Sequence, residues 1–157
     1  MNTNIEFVNY LYTLLNMNTV YMWGEYGKEV TLDRIKLRSK MYKKYYSDDR
    51  VNYLNSLVGK CYYGFDCSGM IKSFWMSTMG TSEVKYIRLY DRNSKSITIN
   101  NASLIGDIDT IPEVKGLLLY MHGHCGCYVG NGLVIECTYN PKFTTRGGVV
   151  MTMLSDR

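Results

Sequence analysis

The feature that most constrains this chain is a change of period at Gly116. Beyond it, Leu117-Leu118-Leu119-Tyr120-Met121 is a continuous apolar run that reads as a buried strand. His124 to Val129 reads as a second strand, Leu133 to Thr138 as a third and Val149 to Leu154 as a last. Gly130-Asn131-Gly132 carries the signal of a tight hairpin between the middle two, because glycine and asparagine accept the positive φ that such turns need. Short strands joined this closely form an antiparallel meander.

Before residue 116 the apolar spacing is helical. Ile5, Val8, Leu11, Leu14 and Leu15 predict an amphipathic helix over 5–16. Thr19 to Gly24 is a short extended or turning piece. Thr31 caps a predicted helix over 31–46, with Leu32, Ile35 and Tyr42 on one face. Ser47-Asp48-Asp49 caps a third, running to about Leu57 and stopped by Gly59. Gly64-Phe65-Asp66-Cys67-Ser68-Gly69 reads as a turn entering an apolar helix that ends at Gly80, and 81–111 as a long polar surface loop with at most one short strand. Helices first and a meander afterwards give an α+β class. With 157 residues, 46% of them apolar and 20% charged, the chain suits one globular domain, and it contains no repeats.

The charge is mildly basic, +4 overall, and nine of the 18 lysines and arginines fall within 28–60 against four acids there. The plainer meaning is a solvated helix face; the alternative is a patch for an anionic polymer. Five cysteines, an odd number without scaffold spacing, read as reduced thiols. Met1-Asn2-Thr3-Asn4 does not begin a signal peptide and no 18-residue apolar run occurs. The expectation is therefore synthesis in the cytoplasm, with any extracytoplasmic target reached after release or through a leader outside this chain.

Cys67 is placed where a thiol becomes reactive. It opens a helix, so unpaired N–H groups and the helix dipole point at its sulfur and favour the thiolate. The same N–H groups can hold an oxyanion. Taken alone, such a cysteine reads more often as a small buried apolar residue. There are only two histidines, His122 and His124, where the second strand begins; His122 is expected to face solvent and His124 to be the base. Glu136 is the one carboxylate among apolar residues 133–137. Pleat parity decides whether it meets His124. A three-residue loop, Gly130-Asn131-Gly132, sets His124 diagonal to Glu136, whereas a two-residue Asn131-Gly132 loop sends Glu136 to the opposite face.

These residues match a known pattern. Phe65-Asp66-Cys67-Ser68-Gly69-Met70 resembles the nucleophile motif of the NlpC-type cell-wall cysteine peptidases. His124-Cys125-Gly126-Cys127-Tyr128-Val129-Gly130-Asn131-Gly132 resembles their histidine strand, and Tyr21-Met22-Trp23-Gly24 their N-terminal element. The resemblance covers about 18–138. It implies a papain-like fold and hydrolysis of the bond between D-γ-glutamate and a diamino acid in peptidoglycan stems. By matching positions, Cys67 is the nucleophile, His124 the base and Glu136 the orienting group. Tyr21 and Trp23 line the site, with the Tyr21 hydroxyl aiding the oxyanion hole, while Asp66 and Ser68 help hold a free stem amine. It implies no cofactor, no metal, no nucleic-acid or membrane partner, and a monomer. The family usually carries histidine where this chain has Glu136, and Gly-Asp-Leu where it has Gly116-Leu117-Leu118; the basic insert at 28–60 is longer than in compact members and resembles phage or mobile-element versions. The alternatives are an N-acetylmuramoyl-L-alanine amidase or a transpeptidase using the same dyad, an inactive wall-binding domain, and a metal module built from Cys61, His122, His124, Cys125, Cys127 and Cys137.

Overall fold

The computed structural model describes residues 3–77 and 84–156. The class is α+β. Helix α1 (Asn4–Leu15) opens with a capping box in which Thr3 and Glu6 satisfy each other's backbone N–H groups. It buries Phe7, Val8, Leu11 and Leu14; Ile5, which the periodicity assigned to the apolar face, is 66% exposed. Strand β1 (Thr19–Tyr21) and strand β2 (Tyr26–Glu29) follow, and then α2 (Leu32–Met41), capped by the Thr31 hydroxyl.

The helix predicted over 31–46 breaks at Tyr42 (φ −131°, ψ 49°), and Lys43–Tyr45 form a separate 3₁₀ turn. Leu32 is exposed rather than core. Helix α3 (Asp48–Asn55) starts from its Ser47 cap and stops two residues before Leu57. Strand β3 (Tyr63–Phe65) takes the place of the predicted turn, and α4 (Cys67–Met76) opens directly from it. The described part of α4 ends in the extended Ser77; the expected stop at Gly80 lies outside the described residues. Among the described residues, the polar region that follows carries three helical turns, Arg88–Tyr90, Ser96–Asn100 and Ile108–Thr110, and a Ser77–Val84 bridge instead of a strand.

The predicted meander forms as β4 (Leu117–Met121), β5 (His124–Gly130), β6 (Leu133–Thr138) and β7 (Gly148–Met153), paired in chain order and antiparallel throughout. β4 is an edge strand, half-buried rather than buried. A second sheet was not expected: β1, β3 and β2 pair in that order, with β1 parallel and β2 antiparallel to β3. Three-residue strands give too little periodicity to be seen. Val149 N–H donates to Thr19 Oγ1 (3.0 Å), tying β7 to β1.

The main core lies among α1, α4 and the four-stranded sheet, with Leu11, Met70, Ile71, Cys127 and Ile135 at its centre. A second, smaller core of Val20, Val30, Ile35, Tyr46 and Leu54 sits under α2 and α3. The basic insert is thus not simply a solvated face. Arg34 and Arg38 turn inward to Glu25, and Arg50 donates to the Arg146 carbonyl (3.1 Å) and to the Tyr21 carbonyl. No helix among the described residues is long and apolar enough to cross a membrane.

Candidate active site

The junction of β3 and α4 is held by Asp66. Its Oδ1 accepts from the Gly69 N–H and from the Ser68 hydroxyl (3.0 Å), and its Oδ2 accepts from the Gly24 N–H (2.8 Å). Asp66 is thus the N-cap of α4. Gly69 is required by packing: a Cβ there would stand 1.8 Å from the Glu25 carbonyl oxygen, which also accepts the Asp66 N–H (2.9 Å). With Gly69 committed to the cap, the N–H groups of Cys67 and Ser68 have no acceptor among the described residues. They form a donor pair at the helix start, suited to a developing oxyanion.

β5 begins beside this end of α4, and the consecutive residues His124 and Cys125 both reach Cys67. His124 Nε2 lies 2.7 Å from Glu136 Oε2, which leaves Nδ1 as the ring nitrogen for the thiol. Glu136 is 1% exposed, and its Oε1 accepts from the Thr152 hydroxyl (2.6 Å). His122 is exposed, as expected.

The hairpin reaches this parity by an unexpected route. The loop is the two-residue Asn131-Gly132, both at positive φ, but Val129 is bulged out of register between the Tyr128–Val134 and Gly130–Leu133 pairs. The extra residue restores what the short loop would have reversed. Gly126 therefore faces Glu136, and His124 lies diagonal to it.

Electrostatics favour a thiolate at Cys67. The Cys125 thiol hydrogen-bonded to it holds its pKa down, burial works against this, and the His124 imidazole and the Cys125 N–H lower it further, leaving Cys67 well below an ordinary cysteine. The Cys125 thiol is pushed up, first by that same hydrogen bond and then by burial, so it stays protonated and donates. Burial, then the charges of Cys67 and Asp66, raise the Tyr21 hydroxyl and keep it a donor close to the thiol. Asp66 is raised to about 6, chiefly by burial and then by Cys67.

The structure brings together Cys67, His124, Glu136, Tyr21, Asp66 and Ser68. Trp23 is nearby: it stacks on Tyr45 with ring centroids 3.7 Å apart and, with Asp66, Cys67 and Ser68, lines a cleft of about 530 Å³. Asp66 has a structural duty that its motif position did not reveal. The candidate metal ligands scatter: Cys61 is exposed, Cys137 donates to the Phe65 carbonyl (3.3 Å), and no three His, Cys, Asp or Glu side chains among the described residues converge in a way that could hold a metal ion.

Three contributors were missed. Cys125 is next to His124 in sequence, and strand alternation pointed it away from the site. Thr152 carried no signal. Glu25 lies between Gly24 and Gly27 and is silent without its arginines. No protein-family model, curated protein or solved structure matches the chain.

Proposed function

We propose that the chain is a papain-like cysteine hydrolase of bacterial cell wall, cutting the D-γ-glutamyl–diamino acid bond of peptidoglycan stems. The observation that carries the acyl-transfer part is the Cys67–His124–Glu136 arrangement at a helix N-terminus, with a buried carboxylate 2.7 Å from the imidazole. The choice of substrate rests on the three motifs around Tyr21, Cys67 and His124.

In this reading the Cys67 thiolate attacks the γ-glutamyl carbonyl carbon, and the Cys67 and Ser68 N–H groups hold the oxyanion. The C–N bond breaks, the leaving amine takes a proton from the His124 imidazolium, and a thioester remains on Cys67. Water then attacks the thioester while His124 takes its proton; the C–S bond breaks, and D-glutamate leaves as a free acid with the thiolate restored. Glu136 holds the ring tautomer and stabilises the imidazolium, as carboxylates do in triads. The protein acts as a monomer on wall exposed after its release or export.

The test is mass spectrometry of purified peptidoglycan fragments incubated with the protein and with Cys67→Ala. New products ending in D-glutamate, made only by the unsubstituted protein, are expected. Cleavage between muramic acid and alanine, or new cross-links, would replace the endopeptidase by an amidase or a transpeptidase. Absence of any product would overturn the wall substrate.

A further inference from the structure

The cleft that opens on Cys67 has a cationic wall, half of whose charges come from the basic insert. Arg34 and Arg38 from α2, Lys72 from α4 and Arg92 from the polar region line it, against Asp66 and Asp91. The acids do not cancel this charge. Glu25 is shared by two arginines, with Arg34 Nε at 3.0 Å and Nη2 at 2.6 Å and Arg38 Nε at 2.7 Å, so one carboxylate faces two fixed positive charges. Lys72 and Asp91 pair at 2.7 Å, and Asp91 also accepts from the Tyr86 hydroxyl (3.0 Å). Arg92 spends only its Nε, on the Leu89 carbonyl (3.2 Å), among the described residues.

An ammonium group would find poor acceptors here. Asp66 is occupied by Gly69, Ser68 and Gly24, and Asp91 by Lys72 and Tyr86. Guanidinium donors remain among the described residues, Nη1 of Arg34 and both Nη groups of Arg92, and they suit a carboxylate.

We propose that this cleft selects a substrate carboxylate next to the bond that Cys67 attacks, with Arg34 and Arg92 as the specificity-determining residues, rather than a free stem amine. The proposal rests on the acyl-transfer reading above. In a stem peptide, that carboxylate comes either from the α-position of the D-glutamyl residue, on the acyl side, or from the distal end of diaminopimelate, on the leaving side.

Calorimetric titration of Cys67→Ala with four synthetic peptides, L-Ala-γ-D-Glu or L-Ala-D-isoglutamine followed by meso-diaminopimelate or L-lysine, separates the two sources. Replacing the recognised carboxylate is expected to weaken binding about tenfold to a hundredfold at one of the two positions and little at the other. The discrimination should fall below about threefold when Arg92→Gln or Arg34→Gln is added, and should shrink at high salt. Arg92 is exposed, so its substitution leaves the fold intact even if Arg34→Gln disturbs Glu25. Equal binding of all four peptides, discrimination that survives both arginine substitutions, or no binding at all would each overturn the proposal. Cleavage of the same peptides by the unsubstituted protein, scored in parallel, tells whether the acyl-transfer reading fails with it.

Discussion

Two carboxylates, Glu25 and Glu136, are each 1% exposed, and they are held by different partners. Glu25 is held by Arg34 and Arg38, whose charges are permanent at any working pH. At Arg38 burial opposes the charge, and the Glu25 hydrogen bond and charge overcome it. Glu136 is held by a histidine and a threonine, with His124 Nε2 2.7 Å from its Oε2 and the Thr152 hydroxyl donating to its Oε1. The first arrangement fixes structure: the Glu25 backbone carbonyl carries Asp66 and crowds Gly69, so the ion cluster anchors the loop before Cys67. The second faces the imidazole that serves as base in the proposed acyl transfer. Burial does not tell the two carboxylates apart; the chemistry of their partners does.

The largest effect that would sharpen this contrast is on folding. Glu25→Gln leaves two arginines facing each other without a counterion, one of them only 8% exposed. A loss of about 3–5 kcal/mol is expected, read as a lower urea midpoint with an unchanged slope. Joint replacement of Glu25, Arg34 and Arg38 by Leu, Met and Met should recover most of it, because the penalty comes from the unpaired charge. A Glu25→Gln variant as stable as the parent would break the comparison.

Glu136→Gln should have the opposite profile. Its amide presents a donor where the imidazole needs an acceptor, so the wrong tautomer faces Cys67. Turnover is expected to fall about 10²–10⁴-fold, while stability falls by only about 1–3 kcal/mol for the altered buried hydrogen bonds. Alkylation of Cys67 by iodoacetamide gives a readout that needs no substrate, and it should slow at pH 6. Unchanged alkylation and turnover would reduce Glu136 to a packing residue.

The contrast also separates what the sequence could and could not disclose. The meander was legible because seven- and six-residue strands with a glycine turn repeat a period of two often enough to be counted. The diagonal placement of His124 and Glu136 was reached correctly, but by the wrong loop, since a bulge at Val129 leaves no mark in the sequence. The caps Thr31 and Ser47 were legible because capping is local. The three-stranded sheet was not, because the parallel pairing of β1 with β3 joins Thr19 to Tyr63 across all of α2 and α3. Glu25 was silent for the same reason: its meaning lies in residues nine and thirteen positions away whose side chains had been read as solvated.

The smallest expected effect concerns Cys125. Its thiol, as a donor toward the Cys67 sulfur, lowers the Cys67 pKa and favours the thiolate. The sign follows from the lowered thiol. The thiolate persists above its depressed pKa and is lost as pH falls through it, so removing a stabilising donor moves that acid limb to higher pH. Cys125→Ala should therefore leave alkylation of Cys67 nearly unchanged at pH 8 and slow it several-fold at pH 5. Cys125→Ser keeps a donor and should retain most of the parent profile. A purely structural role predicts that both variants lose stability without moving the limb. A limb that stays in place in Cys125→Ala would assign the depressed thiol to His124 alone, and with it all of the proton chemistry to the histidine that Glu136 holds.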